Sequence, residues 1–167
     1  MKWVAPLLLA GIALGGCGLH PLYGGGGSGA VATALDRIDV SPIEGKAGWL
    51  MANALRDRLG AGGSGGTSLY RLDVKLDDQI AGLGIRPDNS VSRERRTLRA
   101  RFQLVDAASG NVVLDATAGS DVGIDVVSSE YATIAAENTA TERLSAIVAD
   151  QIVARVALYA RRSAKPK

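Results

Sequence analysis

The sequence predicts an α+β domain, in which two helices pack on one face of a four-stranded, mainly antiparallel sheet in the order β-α-β-β-β-α. Two observations lead to this prediction. Segments in the middle of the chain alternate apolar and polar residues with a period of two, while the segments at about 46–59 and 129–161 repeat apolar residues at helical spacing. A sheet with one apolar face needs a cover, and two helices supply it.

Length and composition agree with one compact unit. The chain has 167 residues, a one-domain length, and 47% of them are hydrophobic. Only 4% are aromatic, so the predicted core is aliphatic. The net charge of +2 is too small to indicate a nucleic-acid-binding protein. A single cysteine excludes an intramolecular disulfide.

The predicted elements begin with a strand within residues 30–40, which Pro42 ends. A helix follows at about 46–59 and stops at the glycine-rich run 60–66. The positions expected to face the core are Leu35, Ile38 and Val40 in the strand, and Trp49, Ala52, Leu55 and Leu59 in the helix.

Three further strands are predicted from alternation, around residues 71–77, 92–106 and 112–124. The turn at residues 109–111 is short, so the last two strands should form a hairpin. The expected inward residues are Leu72, Val74 and Leu76, then Leu98, Ala100, Phe102 and Leu104, then Leu114, Ala116 and Ala118.

A long helix at about 129–161 closes the domain. Ser128 or Ser129 can cap it, and Glu130 in its first turn complements the helix dipole. Its expected apolar stripe consists of Tyr131, Ile134, Leu144, Val148, Ile152, Val156 and Tyr159.

The first residues have the anatomy of a secretion signal. Lys2 precedes an apolar run, residues 3–14, that is shorter than the roughly 20 residues of a membrane span. The run ends in Leu-Gly-Gly before Cys17, which resembles the lipobox of bacterial lipoproteins. Lipidation of Cys17 would anchor the chain to a membrane. The alternative is an ordinary secreted protein with a chance cysteine.

These features divide the chain into four predicted parts. Residues 1–16 are a cleaved signal peptide, residues 17–29 a lipidated N-terminus with a glycine-rich tether, residues 30–162 a single globular domain, and residues 163–167 a basic tail. Pairs such as Asp77 and Asp78 point to opposite faces of a strand, which is unsuited to acid/base catalysis. We therefore expect no enzyme, no metal and no cofactor.

A cluster of arginines is the one feature that indicates a binding site. By strand parity, four of them share the outer face of the strand at 92–106: Arg93, Arg95, Arg99 and Arg101. Like charges in one row repel, and a phosphate or carboxylate ligand would relieve that repulsion. The alternative is a solvated face, partly neutralised by Asp73 and Asp77 on the neighbouring strand.

Several short segments resemble the α-proteobacterial type of the lipopolysaccharide-assembly lipoprotein family, LptE. They are residues 17–24, 37–40, 53–59, 130–133 and 136–138. The resemblance implies a lipid-anchored protein on the periplasmic side of the outer membrane, with two helices on a four-stranded sheet. It also implies a plug and assembly partner for the large LptD-like β-barrel that inserts lipopolysaccharide, with basic residues that bind lipopolysaccharide. The alternative from another class is an auxiliary lipoprotein of an envelope transporter or secretion system that binds only proteins.

Overall fold

The computed structural model describes residues 29–60, 67–85 and 91–163. It confirms the α+β class and the order β-α-β-β-β-α, and adds one short helix before the first strand. The elements are α1 (Ala30–Leu35), β1 (Ile38–Val40), α2 (Gly45–Leu59), β2 (Tyr70–Ile85), β3 (Val91–Asp106), β4 (Val112–Asp125) and α3 (Glu130–Ser163).

The four strands lie in one sheet in their chain order. β1 runs parallel to β2, whereas β2–β3 and β3–β4 are antiparallel, so the sheet is mainly antiparallel as predicted. The predicted hairpin joins β3 to β4. Its turn is held by the Asp106 carboxylate, which accepts hydrogen bonds from the backbone N–H groups of Ala108 and Ser109 (3.1 and 2.7 Å).

The two long helices cover one face of the sheet and run parallel to each other. Lys46 donates to Asn138 (2.6 Å) near the start of α2, and Arg58 pairs with Asp150 (2.5 Å) near its end. α2 contacts β1 and β2, while α3 contacts β3 and β4. The aliphatic core between these layers surrounds Phe102, which is fully buried.

The segment before β1 differs from the prediction. Residues 30–35 form α1, and only Ile38–Val40 are a strand. Alternate alanines dominate this stretch, and alanine is the best helix former. The side chains of Leu35, Ile38 and Val40 are nevertheless buried, as predicted.

The predicted core face of α2 was wrong at Trp49, which is 65% exposed. The buried face is centred on Met51 and Leu55, both fully buried, with Gly48 against the backbone of Ile43. At about 100° per residue, Trp49 lies about 200° around the helix from Met51. Trp49 and Ala52 have helical spacing, but this spacing alone does not determine which side of α2 faces the sheet.

The predicted stripe of α3 was wrong in its first two turns, where Tyr131 is 84% exposed and Ile134 is 48% exposed. α2 begins only at the level of Asn138, so within the described chain these turns of α3 have no helix beside them. The cap is Ser129, whose hydroxyl accepts from the Ala132 N–H (3.4 Å).

Candidate functional site

The arginine row lies where strand parity placed it. Arg93, Arg95, Arg99 and Arg101 are all exposed, while Leu98, Ala100 and Phe102 between them are buried under the helices. We call these four residues, on the face turned away from the helices, the arginine row. A fifth arginine of the cluster, Arg96, points to the helix side instead.

Three members of the arginine row face carboxylates on β4. The sequence predicted that Asp73 and Asp77 of β2 would partly neutralise the row. In the structure, Asp73 pairs with Arg71, and Asp77 accepts a hydrogen bond from Gln79. The β4 ion pairs are Arg93–Asp125 (3.5 Å), Arg95–Asp121 (3.6 Å) and Arg101–Asp115 (2.8 Å).

Arg99 is the exception, and the strand register explains it. The direct β4 neighbours of Arg95, Arg99 and Arg101 are Gly123, Gly119 and Thr117, so none of these three arginines faces a carboxylate directly. Arg95 and Arg101 reach the aspartate two residues before that neighbour, whereas Arg99 meets Thr117 at that position, and Asp121 on its other side pairs with Arg95. A Cβ at Gly119 would lie 3.3 Å from the Cγ of Arg99, so the Arg99 side chain lies over this glycine. Within the part of the chain that the structure describes, Arg99 makes no ion pair.

Arg99 lies in a groove of about 560 Å³ on the outer face of the sheet. Lys75 of β2 and Arg101 of β3 line the groove beside it, and Arg155 reaches it from α3. The carboxylates that line it are those of Asp77 and Asp121. Four cationic side chains against two acidic ones make the groove cationic, which suits a phosphate or carboxylate ligand.

Two side chains of α3 form the edge of this groove, and sequence reasoning missed both. The Gln151 amide bonds the backbone N–H and C=O of Gly119 (3.2 and 3.3 Å), and Arg155 donates to the carbonyl of Thr117. They cover part of the otherwise unpaired edge of β4. The sequence indicated them only weakly, because they are two polar residues four positions apart, each followed by a buried apolar residue, Ile152 or Val156.

The pair of Arg101 and Asp115 is the best-formed ion pair of the outer face. Two N–H groups of Arg101 reach the two carboxylate oxygens (3.2 and 2.8 Å), and Gln103 donates a further hydrogen bond (2.8 Å). The hydrogen bond from Arg101, followed by that from Gln103, lowers the pKa of Asp115 to about 2. Arg101 is therefore occupied at neutral pH, unlike Arg99.

Other predicted features lie outside the described residues. They are Cys17, the signal and tether segments 1–16 and 17–28, and residues 164–167. Within the described ranges, acidic, histidine and cysteine side chains form no group that could hold a metal ion. No helix of the described chain is long and apolar enough to cross a bilayer.

Comparisons with known proteins agree with this architecture. The chain is similar to the structure of a putative lipoprotein from Caulobacter crescentus CB15, with 29% identity and a TM-score of 0.68 over 83% of this chain and 100% of the other. It shares its fold with the rare lipoprotein B of Shewanella oneidensis (13% identity, TM-score 0.54, 77% and 97% covered). A minor lipoprotein of Acinetobacter baumannii also has this fold (16% identity, TM-score 0.54, 72% and 91% covered).

No curated protein sequence matches the chain. The family model described as lipopolysaccharide-assembly, LptE, matches residues 35–156, which include all but the ends of the described fold. The predicted resemblance is thus confirmed over most of the chain: this protein belongs to the LptE lipopolysaccharide-assembly family.

Proposed function

We propose that this protein is an outer-membrane lipoprotein of the lipopolysaccharide transport machinery, anchored through Cys17 on the periplasmic side. In this proposal it plugs the LptD-like β-barrel, assists its assembly, and binds lipopolysaccharide through the arginine row. Membership of the family supports the general role. The observation that carries the binding site is the exposed Arg99 in a cationic groove.

Arg99 is suited to be the first contact for a phosphate of lipopolysaccharide. A guanidinium can bind a phosphate with two parallel N–H···O bonds. Arg99 needs no protein carboxylate to be displaced, and Lys75 lines the same groove to attract the anion. Because Gly119 has no side chain, the Arg99 side chain can lie over the neighbouring strand.

The other arginines of the row would contribute less to the affinity. Arg93 and Arg95 face Asp125 and Asp121 at 3.5 and 3.6 Å. Exposed pairs of this kind stabilise by about 0.2–1 kcal/mol, whereas a hydrogen bond to a charged group contributes about 1.5–3 kcal/mol. A phosphate can therefore displace these carboxylates, but at a cost that Arg99 does not incur.

Titration with purified lipopolysaccharide tests this site. Arg99→Gln should weaken binding by roughly 10- to 100-fold, the equivalent of one charge-assisted hydrogen bond. Arg93→Gln is the matched control, because it removes the same charge from the same face at a paired position, and its effect should be smaller. Replacing Arg95, Arg99 and Arg101 together should weaken binding further and leave the fold intact, with a loss of stability no larger than that of Arg101→Gln alone. Unchanged affinity in the triple variant would remove the arginine row from the proposal.

Co-purification tests the barrel partner. Mature protein isolated from detergent-solubilised outer membrane should bring down a large β-barrel protein together with lipopolysaccharide. An auxiliary lipoprotein of a transporter or secretion system would instead bring down other envelope proteins and show no affinity for the glycolipid. That second outcome would overturn the proposed function.

A further inference from the structure

β2 is longer than the strand beside it, and part of its edge therefore has no neighbour in the described chain. β1 pairs with β2 only from Tyr70 to Leu72, whereas β2 continues to Ile85. We propose that residues 79–83 of β2, which we call the open edge, pair with the open edge of a second copy of this chain. The dimer involves neither lipopolysaccharide nor a β-barrel, so the inference goes beyond the proposed function.

The direction of the backbone groups makes this pairing possible. The C=O of Leu72 accepts a hydrogen bond from the N–H of Ser41, just after β1 (3.1 Å). Backbone groups of alternate residues in a strand point to the same side, so Ile80 and Gly82 direct their N–H and C=O away from β3, as Leu72 does. Among the residues that the structure describes, none bonds to these groups of Ile80 and Gly82. Such a row of unpaired groups is a template for another strand.

The open edge lacks the features that keep sheet edges apart. Its sequence is Gln-Ile-Ala-Gly-Leu, without a charge or a proline, and Ile80 is 45% exposed. Proteins protect their edge strands with charges, proline or a covering element. β4 has such protection, because Gln151 and Arg155 bond its backbone and Asp121 and Asp125 are exposed on it. The sheet is thus protected along β4 and unprotected along the open edge.

The side chains of the open edge are complementary to themselves when two copies run antiparallel about Ala81. Ile80 then lies opposite Gly82 of the second copy, and Gly82 opposite its Ile80, so a large side chain meets a glycine in both pairs. Gln79 and Leu83 lie opposite each other in the same way. Every paired residue is uncharged, so no charge is brought beside a like charge. A two-fold dimer requires this self-complementarity.

The neighbouring registers fit less well. A centre at Ile80 would place Leu83 opposite Asp77 of the other copy and bring a carboxylate against an apolar side chain. A centre at Gly82 would pair the two glycines and place Ile80 opposite Gly84, whose φ of 77° takes it out of the extended conformation. The pattern of size and charge therefore selects the register about Ala81.

Ile80 supplies the apolar contact of the dimer. It lies directly across from Arg96, whose guanidinium donates to the carbonyl of Glu137 in α3. α2 begins only at the level of Asn138, so within the described chain α2 does not extend over Ile80. The five paired residues of each copy form a small interface of the weak, transient class. The dimer is therefore best detected by trapping it.

The experiment uses the full mature protein and traps the dimer with a disulfide. In the register about Ala81, the two copies of that residue form a pair without hydrogen bonds, whose Cα atoms lie about 4.5 Å apart. A disulfide spans Cα distances of about 4.4–6.8 Å, so Ala81→Cys should be trapped largely as a covalent dimer under mild oxidation. Wild type treated in the same way reports any disulfide formed through Cys17.

Gln79→Cys is the matched control, because residue 79 is exposed on the same face of the same strand. Its two copies would be offset by four residues, about 14 Å along the strands, which is too far for a disulfide. Gln79→Cys alone should therefore stay monomeric, whereas a mixture of Gln79→Cys and Leu83→Cys should form a mixed dimer. Ile80→Lys added to Ala81→Cys should reduce trapping roughly tenfold, since two lysines would lie diagonally across the paired strands.

Equal trapping of Ala81→Cys and Gln79→Cys, or trapping of Ala81→Cys that ignores Ile80→Lys, would overturn the inference. The outcome is separable from that of the proposed function. Antiparallel pairing within one sheet turns the arginine rows of both copies to the same exposed face. Arg99→Gln, which tests lipopolysaccharide binding, should therefore leave the trapping of Ala81→Cys unchanged.

Discussion

Arg96 and Asp78 form a two-pronged ion pair on the helix side of the sheet, with N–H···O distances of 2.9 and 2.6 Å. The same guanidinium donates to the carbonyl of Glu137 in α3 (3.1 Å). Arg96 thus joins β2, β3 and the first half of α3. The contact with α3 lies just before Asn138, the level at which α2 begins. Only 15% of the Arg96 side chain and 23% of the Asp78 side chain is exposed, so the paired groups are largely shielded from water.

Asp78→Asn should lower the free energy of unfolding by about 1–3 kcal/mol, because it leaves the Arg96 charge shielded without its counter-ion. Asp77→Asn is the matched control, since the neighbouring carboxylate points to the outer face, where its hydrogen bonds within the described chain come from Gln79. Its effect should stay within about 0.5 kcal/mol. Urea unfolding measures both, and equal losses would contradict the role assigned to the Arg96–Asp78 pair.

The Arg101–Asp115 pair predicts a dependence of stability on acid. The hydrogen bonds from Arg101 and Gln103 hold the pKa of Asp115 at about 2 in the folded protein, below its ordinary value of 3.8. A depressed folded pKa contributes stability above about pH 4, and that contribution is lost as the pH falls towards 2. The difference in unfolding free energy between wild type and Asp115→Asn should therefore be constant above pH 4 and shrink below it.

A series of urea melts across this range measures the effect. Arg101→Gln should reduce the pH dependence in the same way, because it removes the main cause of the pKa shift. If the unfolding free energies of wild type and Asp115→Asn change in parallel over the whole pH range, the prediction is contradicted.

The orientation of α2 predicts that truncating two of its large apolar residues changes stability by very different amounts. Met51→Ala should destabilise the protein by about 2–5 kcal/mol, since Met51 is fully buried. Trp49→Ala should change stability by no more than about 0.5 kcal/mol, because most of that side chain already faces water. Thermal or urea unfolding distinguishes them, and a larger loss for Trp49 would reverse the assigned face.

Cys17→Ser should abolish lipid attachment and leave the protein soluble or uncleaved, because the chain has no other cysteine to accept the lipid. Labelling cells with a radioactive fatty acid checks this, with wild type as the positive control. Label that persists in the purified variant would show that Cys17 is not the modified residue.

Local periodicity was enough to predict much of this molecule. Alternation defined the inward row of β3 and, with it, the outward arginine row, because side chains on a strand must point to opposite faces. The chain order of the strands and helices followed from turn residues and apolar spacing, and short family motifs indicated the LptE family. These features depend on residues close in sequence, or on motifs that can be read directly.

Only the tertiary structure decided which arginine of the row has no carboxylate partner among the described residues. The aspartates that pair with the row come from β4, and the register of that separate strand places Thr117 where Arg99 would need an aspartate, while Asp121 pairs with Arg95. The same holds for Trp49, since the rotation of α2 depends on its contacts with the sheet and with α3. Periodicity within a segment defines its faces, but which neighbour each face meets depends on packing between segments distant in the chain.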